Sequence, residues 1–100
     1  MKYFSVLDIT SKTDEWISDY LPTANKLVAK HGGKYLTCTA FRRQVEEDTQ
    51  KTALCIIIER PSKENAMNFM EDPDYKPHLL ARTTGSISHH YLIAAQDDLW

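Results

Sequence analysis

The 100-residue chain predicts an α+β fold, a four-stranded antiparallel sheet with its two main helices on one side. The first observation behind this is the run Ala53-Leu54-Cys55-Ile56-Ile57-Ile58, apolar at every position where a half-exposed strand would alternate with polar residues. The second is a stripe from Trp16 to His31 that repeats at three and four residues, the period of an amphipathic helix. The third is the order of elements, strand, helix, strand, strand, helix, strand, which is the split β-α-β arrangement.

Met1 to Ile9 alternates loosely, with Tyr3, Leu7 and Ile9 on one face and Phe4, Val6 and Asp8 on the other, so it reads as an interior strand. From Thr13 the residues Trp16, Ile17, Tyr20, Leu21, Ala24, Leu27, Val28 and His31 form one helical stripe. Asp14 and Glu15 suit the first turn of that helix, Lys30 and His31 the last, and Gly32-Gly33 supplies the left-handed stop. Pro22 predicts a kink, while the stripe keeps its phase across it. Lys34 to Arg43 and Lys51 to Arg60 read as strands joined by the acidic loop Gln44 to Gln50. Pro61-Ser62 opens a second helix with Ser62 as N-cap and Ala66, Met67, Phe69 and Met70 facing inward; Asp72-Pro73-Asp74 breaks it. A short helix from Tyr75 to Arg82 carries Leu79 and Leu80, and Gly85 introduces a last strand from Ser86 to Ala95. The chain thus divides into one domain over 1–96 and a short acidic tail over 97–100 that ends on Trp100.

Right-handed crossovers give this ferredoxin-like β-α-β-β-α-β topology the strand order 4-1-3-2. Composition agrees, because the strands apolar on both faces are the first and third, and those carrying Lys34, Thr37, Thr39, Ser86, Ser88, His89 and His90 fall at the edges. With both helices on one side, covering the other face requires a partner sheet. The expectation is a homodimer, a dimeric α/β barrel with a small-molecule cavity between the two sheets.

The formal net charge of -2 offers no long-range attraction for phosphate backbones, so nucleic acid is not an expected partner. Neither a secretory leader nor a long apolar stretch is legible, which gives the expectation of a cytoplasmic protein without a membrane partner. Cys38 and Cys55 lack C-x-x-C spacing and read as small buried hydrophobes that face each other across the hairpin; a reducing cytoplasm disfavours a bridge. No spacing implies a bound metal or cofactor, and no phosphate loop, H-E-x-x-H or G-x-S-x-G is present. The RNA-recognition fold shares this element order, but its third strand presents stacking aromatics where this chain has Cys55, Ile56, Ile57 and Ile58.

The segments Lys30-His31-Gly32-Gly33-Lys34-Tyr35-Leu36, Ile57-Ile58-Glu59-Arg60-Pro61-Ser62 and Asp72-Pro73-Asp74-Tyr75-Lys76-Pro77, with Leu80-Ala81-Arg82 beyond, resemble the domain-of-unknown-function 1330 family of the dimeric α/β-barrel superfamily. The resemblance covers nearly the whole chain and implies the fold and the dimer. It brings no activity, because the family has none established, while the wider superfamily includes quinone-forming monooxygenases, haem-degrading enzymes and small isomerases. One departure stands out: Thr37-Cys38-Thr39-Ala40 follows the His-Gly-Gly motif where family members often carry an arginine and glycines.

Each candidate site residue has a functional and a structural reading. His31 is a ligand-binding candidate, although a cation in the last turn of a helix is explained by the dipole. His89 and His90 are adjacent on a strand and point to opposite faces, so they do not share a metal ion; one faces the dimer cavity as a proton donor or acceptor, or serves a structural hydrogen bond. Glu59 and Asp8 are carboxylates beside apolar strand surface, able to move a proton or to end in an ion pair, for Glu59 with Arg82 or Arg42. Tyr75, His78 and Arg82 share a face of the short helix, where they line a pocket mouth or anchor the helix.

The functional expectation is a homodimer binding a small organic molecule. The alternatives are a cofactor-independent monooxygenase or isomerase using His89 or His90 with Glu59 or Asp8, and a structural or regulatory dimer. A pocket holding a histidine and a carboxylate within hydrogen-bond reach favours the enzyme; a pocket without that pair favours binding.

Overall fold

A computed structural model describes residues 1–41, 43, 45–46 and 54–96. Four strands, β1 (Tyr3–Ser11), β2 (Lys34–Thr39), β3 (Leu54–Arg60) and β4 (Ser86–Ala94), form one antiparallel sheet in the order β2-β3-β1-β4. Three helices, α1 (Ile17–Lys30), α2 (Lys63–Glu71) and α3 (Lys76–Gly85), lie between them in sequence. This is the ferredoxin-like α+β arrangement with the apolar strands β1 and β3 at its centre.

Register divides the sheet into two faces, because residues opposite one another across antiparallel strands point the same way. On the inner face Ser5 stands between Ile58 and Leu92, Leu7 between Ile56 and His90, and Ile9 between Leu54 and Ser88. This face meets the helices and holds the core of Leu7, Ile9, Ile56 and Ile58 with Tyr20, Ala24, Leu27, Val28, Phe69 and Tyr75. On the outer face Phe4 stands between Glu59 and Ile93, Val6 between Ile57 and Tyr91, and Asp8 between Cys55 and His89. Ile87, Tyr91 and Ile93 are about half exposed there.

Several boundaries differ from the sequence expectations. β2 ends at Thr39 rather than Arg43, and the Thr39 hydroxyl accepts the Phe41 N–H at 3.0 Å, a local bond that takes the place of the ladder. The acidic loop lies largely outside the described residues, as do Arg42, Ala53 and the tail with Trp100. α1 begins at Ile17 rather than Thr13, with a turn over 14–16, and runs through Pro22 as one helix. Met67 is 42% exposed and stands at the rim of the inward stripe of α2, while Leu80 of α3 is 67% exposed. Cys38 is exposed rather than buried, and pairing Cys38 with Ile56 and Cys55 with Thr39 puts the two thiols on opposite faces.

Two glycines and one cap set the helix ends. Gly32, at φ 74°, ends α1, and the Gly33 N–H returns to the Val28 carbonyl at 2.8 Å. The Ser62 hydroxyl accepts the Asn65 N–H at 3.1 Å and caps α2, while the Asn65 side chain donates to the His31 carbonyl at 3.3 Å and ties that cap to the end of α1. Gly85 closes α3, and its carbonyl accepts the N–H groups of Lys12 and Thr13. A Cβ there would overlap the buried Trp16 indole. Gly85→Ala is therefore expected to lower stability by roughly 1–3 kcal/mol in urea unfolding, the usual cost of overpacking a tight site. A loss under about 0.5 kcal/mol, the range of a neutral surface change, would mean that the indole moves aside freely.

Candidate functional site

The inner face of β4 presents Ser86, Ser88, His90 and Leu92 at two-residue spacing. Above it α2 presents Ala66, Met67 and Met70, one turn apart. These two surfaces leave a cavity of roughly 190 Å³ lined by Ala66, Met67, Met70, His90 and Leu92. An apolar cavity of about 150 Å³ accepts a benzene ring, so this volume suits a one-ring or short-chain molecule. The wall is apolar except for His90, whose Nε2 is buried without a hydrogen-bond partner.

Two arginines are buried beneath the same helix layer, Arg60 fully and Arg82 to within 2%. Arg60 comes from the end of β3: its Nε donates to Ser5 Oγ at 3.0 Å, and its guanidinium lies 4.4 Å from the centre of the Phe69 ring. Its Nη1 faces Gly33, where a side chain would crowd it, beside the negative end of the α1 dipole. Arg82 comes from α3: its Nη1 donates to Ser88 Oγ at 2.8 Å, its Nε has no partner, and its guanidinium lies 5.9 Å from the Tyr20 ring centre. Behind them Tyr20 and Tyr75 share a 2.6 Å hydroxyl hydrogen bond.

Burial sets the electrostatics of the cluster. It lowers the Arg60 pKa, pushes the Tyr35 phenol up to about 12 and raises the Tyr20 phenol further, so these phenols stay neutral. Burial first, then Arg82 and Arg60, push His90 down to about 4, leaving a neutral imidazole at pH 7. Among the described residues no three His, Cys, Asp or Glu side chains are grouped to hold a metal ion.

The structure brings His90, Arg82 and Tyr75 to the inner face and separates the other candidates from them. His31 Nε2 donates to Asp72 Oδ2 at 2.8 Å, and Lys30 reaches the same oxygen at 3.0 Å, so His31 fastens α1 to the end of α2. His78 is half-buried on α3, one turn before Arg82. Asp8 and His89 face one another on the outer side of the sheet. Glu59 lies on that side too and pairs with Lys2 at 3.0 Å, not with Arg82, which the sheet separates from it. Arg60, Ser5 and Ser88 were given no site role from the sequence, and Ala66, Met67 and Met70 were read as the inward stripe of α2 and not as a cavity wall. A legible signal existed for two of them: Arg60 continues the inward phase of Ile56 and Ile58, and Ser5 interrupts that of Leu7 and Ile9.

With this geometry in view, the comparisons with known proteins are specific about family and silent about chemistry. The model of the domain of unknown function DUF1330 matches residues 2–96. The chain belongs to the DUF1330 family. No curated protein sequence matches this DUF1330 chain. Among solved structures it resembles RPA0582, a protein of unknown function from Rhodopseudomonas palustris, with TM-score 0.80, 15% identity and coverage of 96% of this chain and 83% of that one. It also resembles SnoaB, described as a cofactor-independent oxygenase from Streptomyces nogalater, with TM-score 0.68, 17% identity and coverage of 98% and 96%. An antibiotic biosynthesis monooxygenase matches at TM-score 0.54, 16% identity and coverage of 97% and 100%. At these identities the likeness establishes the shared ferredoxin-like fold alone.

Two groups in this DUF1330 domain give acid-dependent stability in separate pH windows. Unfolded His90 takes up a proton near its ordinary 6.5 while the folded imidazole resists until about 4, so its contribution falls as pH drops through that interval. The His31 ring, the Asp74 N–H and Lys30 hold the Asp72 carboxyl below its ordinary 3.8, so its contribution is present above that value and is lost below it. In urea unfolding across pH, His90→Gln is expected to flatten the slope between 6.5 and 4, and Asp72→Asn the slope below about 4. Wild-type slopes retained in both variants would refute the assignments.

Proposed function

We propose that this DUF1330 protein is a homodimer that binds a small organic molecule, about one ring in size, in the cavity between α2 and β4. The observation that carries the reading is the cavity of roughly 190 Å³ with a single buried, unpartnered imidazole nitrogen in an apolar wall. Such a combination of apolar lining and one orienting polar atom is the usual make-up of a small-molecule site. The sequence alone put the cavity between two sheets; the proposed site lies instead on the helix-covered side, within each subunit.

The dimer is supported by the outer face of the sheet, where Phe4, Val6, Ile57, Ile87, Tyr91 and Ile93 stand together and the last three are about half exposed. The thinnest dimension is 17 Å, room for one sheet and one helix layer, and among the described residues no helix covers the outer face. A second copy laid sheet to sheet would cover that face.

Binding is favoured over acid–base catalysis by two features of the lining. It holds a histidine but no carboxylate, and a base with pKa about 4 is poorly matched to proton abstraction at neutral pH. The second reading, a cofactor-independent oxygenase whose substrate supplies its own reactivity, is supported by the fold shared with SnoaB.

Light scattering at micromolar concentration is expected to give twice the chain mass, and a stable monomer would overturn the dimer. In carbon-13 methyl spectra, at least one of phenol, benzyl alcohol and benzoate is expected to shift the Met67 and Met70 signals at millimolar concentration. Met67→Trp, which puts a bulky ring at the solvent-reaching rim, should remove the response at Met70. Silence with all three probes in the folded wild type would refute the cavity as a binding site.

A further inference from the structure

Next to the helix-side cavity, on the same face of β4, lies a buried positive charge for which no counter-ion stands among the described residues. Arg82 is 98% buried by its 2% exposure, its Nη1 is satisfied by the neutral Ser88 hydroxyl, and its Nε has no partner. Ser88 is two residues from His90 on the same face of β4, so the guanidinium, although not itself part of the cavity lining, bonds the neighbouring inward position of the strand, and its charge helps to lower the His90 pKa. Arg60 adds a second buried cation across the Phe69 ring.

No ion pair joins Arg82 to a carboxylate of the described helices and strands. Glu64 and Glu71 of α2 and Asp19 of α1 are exposed, and Asp8 and Glu59 belong to the opposite face of the sheet. Asp72 is buried but committed to His31 and Lys30. Moving an ion out of water costs several kcal/mol even after relaxation, and a hydroxyl or ring face returns only part of that. Arg60 has the negative end of the α1 dipole as well, and Arg82 the last turn of α3, but a helix end returns only part of the cost of burying a charge. Neutral His90 can accommodate an anion without adding repulsion of its own.

Resting on the cavity reading above, we infer that the ligand is an organic anion, a carboxylate or enolate on an apolar body of about one ring. Its charged end lies toward Arg82 and His90 Nε2, and its apolar body lies against Ala66, Met67, Met70 and Leu92. The anion supplies a counter-charge that the described helices and strands do not give Arg82, and the guanidinium fork gives it a directional partner.

The test compares benzoate with benzamide, equal in shape and different in charge, by methyl-signal titration of the full chain at pH 7. Benzoate is expected to bind at least about tenfold more tightly, the scale of one hydrogen bond to a charged group. Arg82→Met should bring the ratio close to one, and Arg82→Lys should keep part of it. If Arg82→Met does not fold, the wild-type ratio and Arg82→Lys decide the matter. Equal binding of benzoate and benzamide, or binding of neither while phenol or benzyl alcohol binds, would overturn the anion inference and leave the cavity reading standing, whereas silence with all four probes would refute the cavity reading itself. Displacement of benzoate by equimolar inorganic phosphate would overturn the organic part of the inference.

Discussion

All three helices pack on one side of the sheet, and this asymmetry governs the rest of the structure. It gives every strand residue a fate set by parity. Odd-numbered positions of β1, such as Ser5, Leu7 and Ile9, go under the helices; even-numbered ones, such as Phe4, Val6 and Asp8, go to the other side. The same parity sends His90 inward and His89 outward, so neighbours in sequence serve different surfaces. A shift by one residue in β4 would exchange them and place Ile87, Tyr91 and Ile93 under the helices.

The inner layer is not a simple hydrophobic core. Its apolar part, built on Leu7, Ile9, Ile56 and Ile58 with the α1 stripe, occupies one region. Beside it Arg60, Arg82, Ser5, Ser88 and the Tyr20–Tyr75 pair form a polar layer that the helices also cover. Replacing such buried ions with apolar residues of similar volume is often neutral or stabilising, so their presence is not explained by stability. The proposed binding role would give the charge a purpose, since His90 of the cavity wall shares a face of β4 with the Ser88 that Arg82 bonds.

The ring of contacts around α2 illustrates how the site is held. Ser62 caps the helix, Asn65 ties it to the end of α1, and Asp72 joins His31 and Lys30 just past its end. Phe69 faces the core between Arg60 and Tyr75, at 4.4 and 4.2 Å from them. Helix α2 is thereby fixed at both ends while Met67 and Met70, unbranched and adaptable, form the wall between. The His-Gly-Gly and Asp-Pro-Asp segments, prominent in the sequence, are joints of this frame and not members of the cavity.

Periodicity and punctuation in the sequence determined the element order, the central placement of β1 and β3, the Gly32 stop and the Ser62 cap. These features are local or follow from topology, so their physics acts over a few residues. The start of α1 and the exposure of Met67 and Cys38 differ from the sequence expectation because a turn or a neighbouring layer decides them. Of the cavity group, the sequence singled out His90 and Arg82 but could not join them, because Ser88 meets Arg82 only once α3 folds against β4. Which histidine enters the helix side, and that Arg60 and Arg82 share it, are consequences of register and packing. Tertiary structure alone decides these, since burial and charge compensation belong to groups brought together from distant parts of the chain.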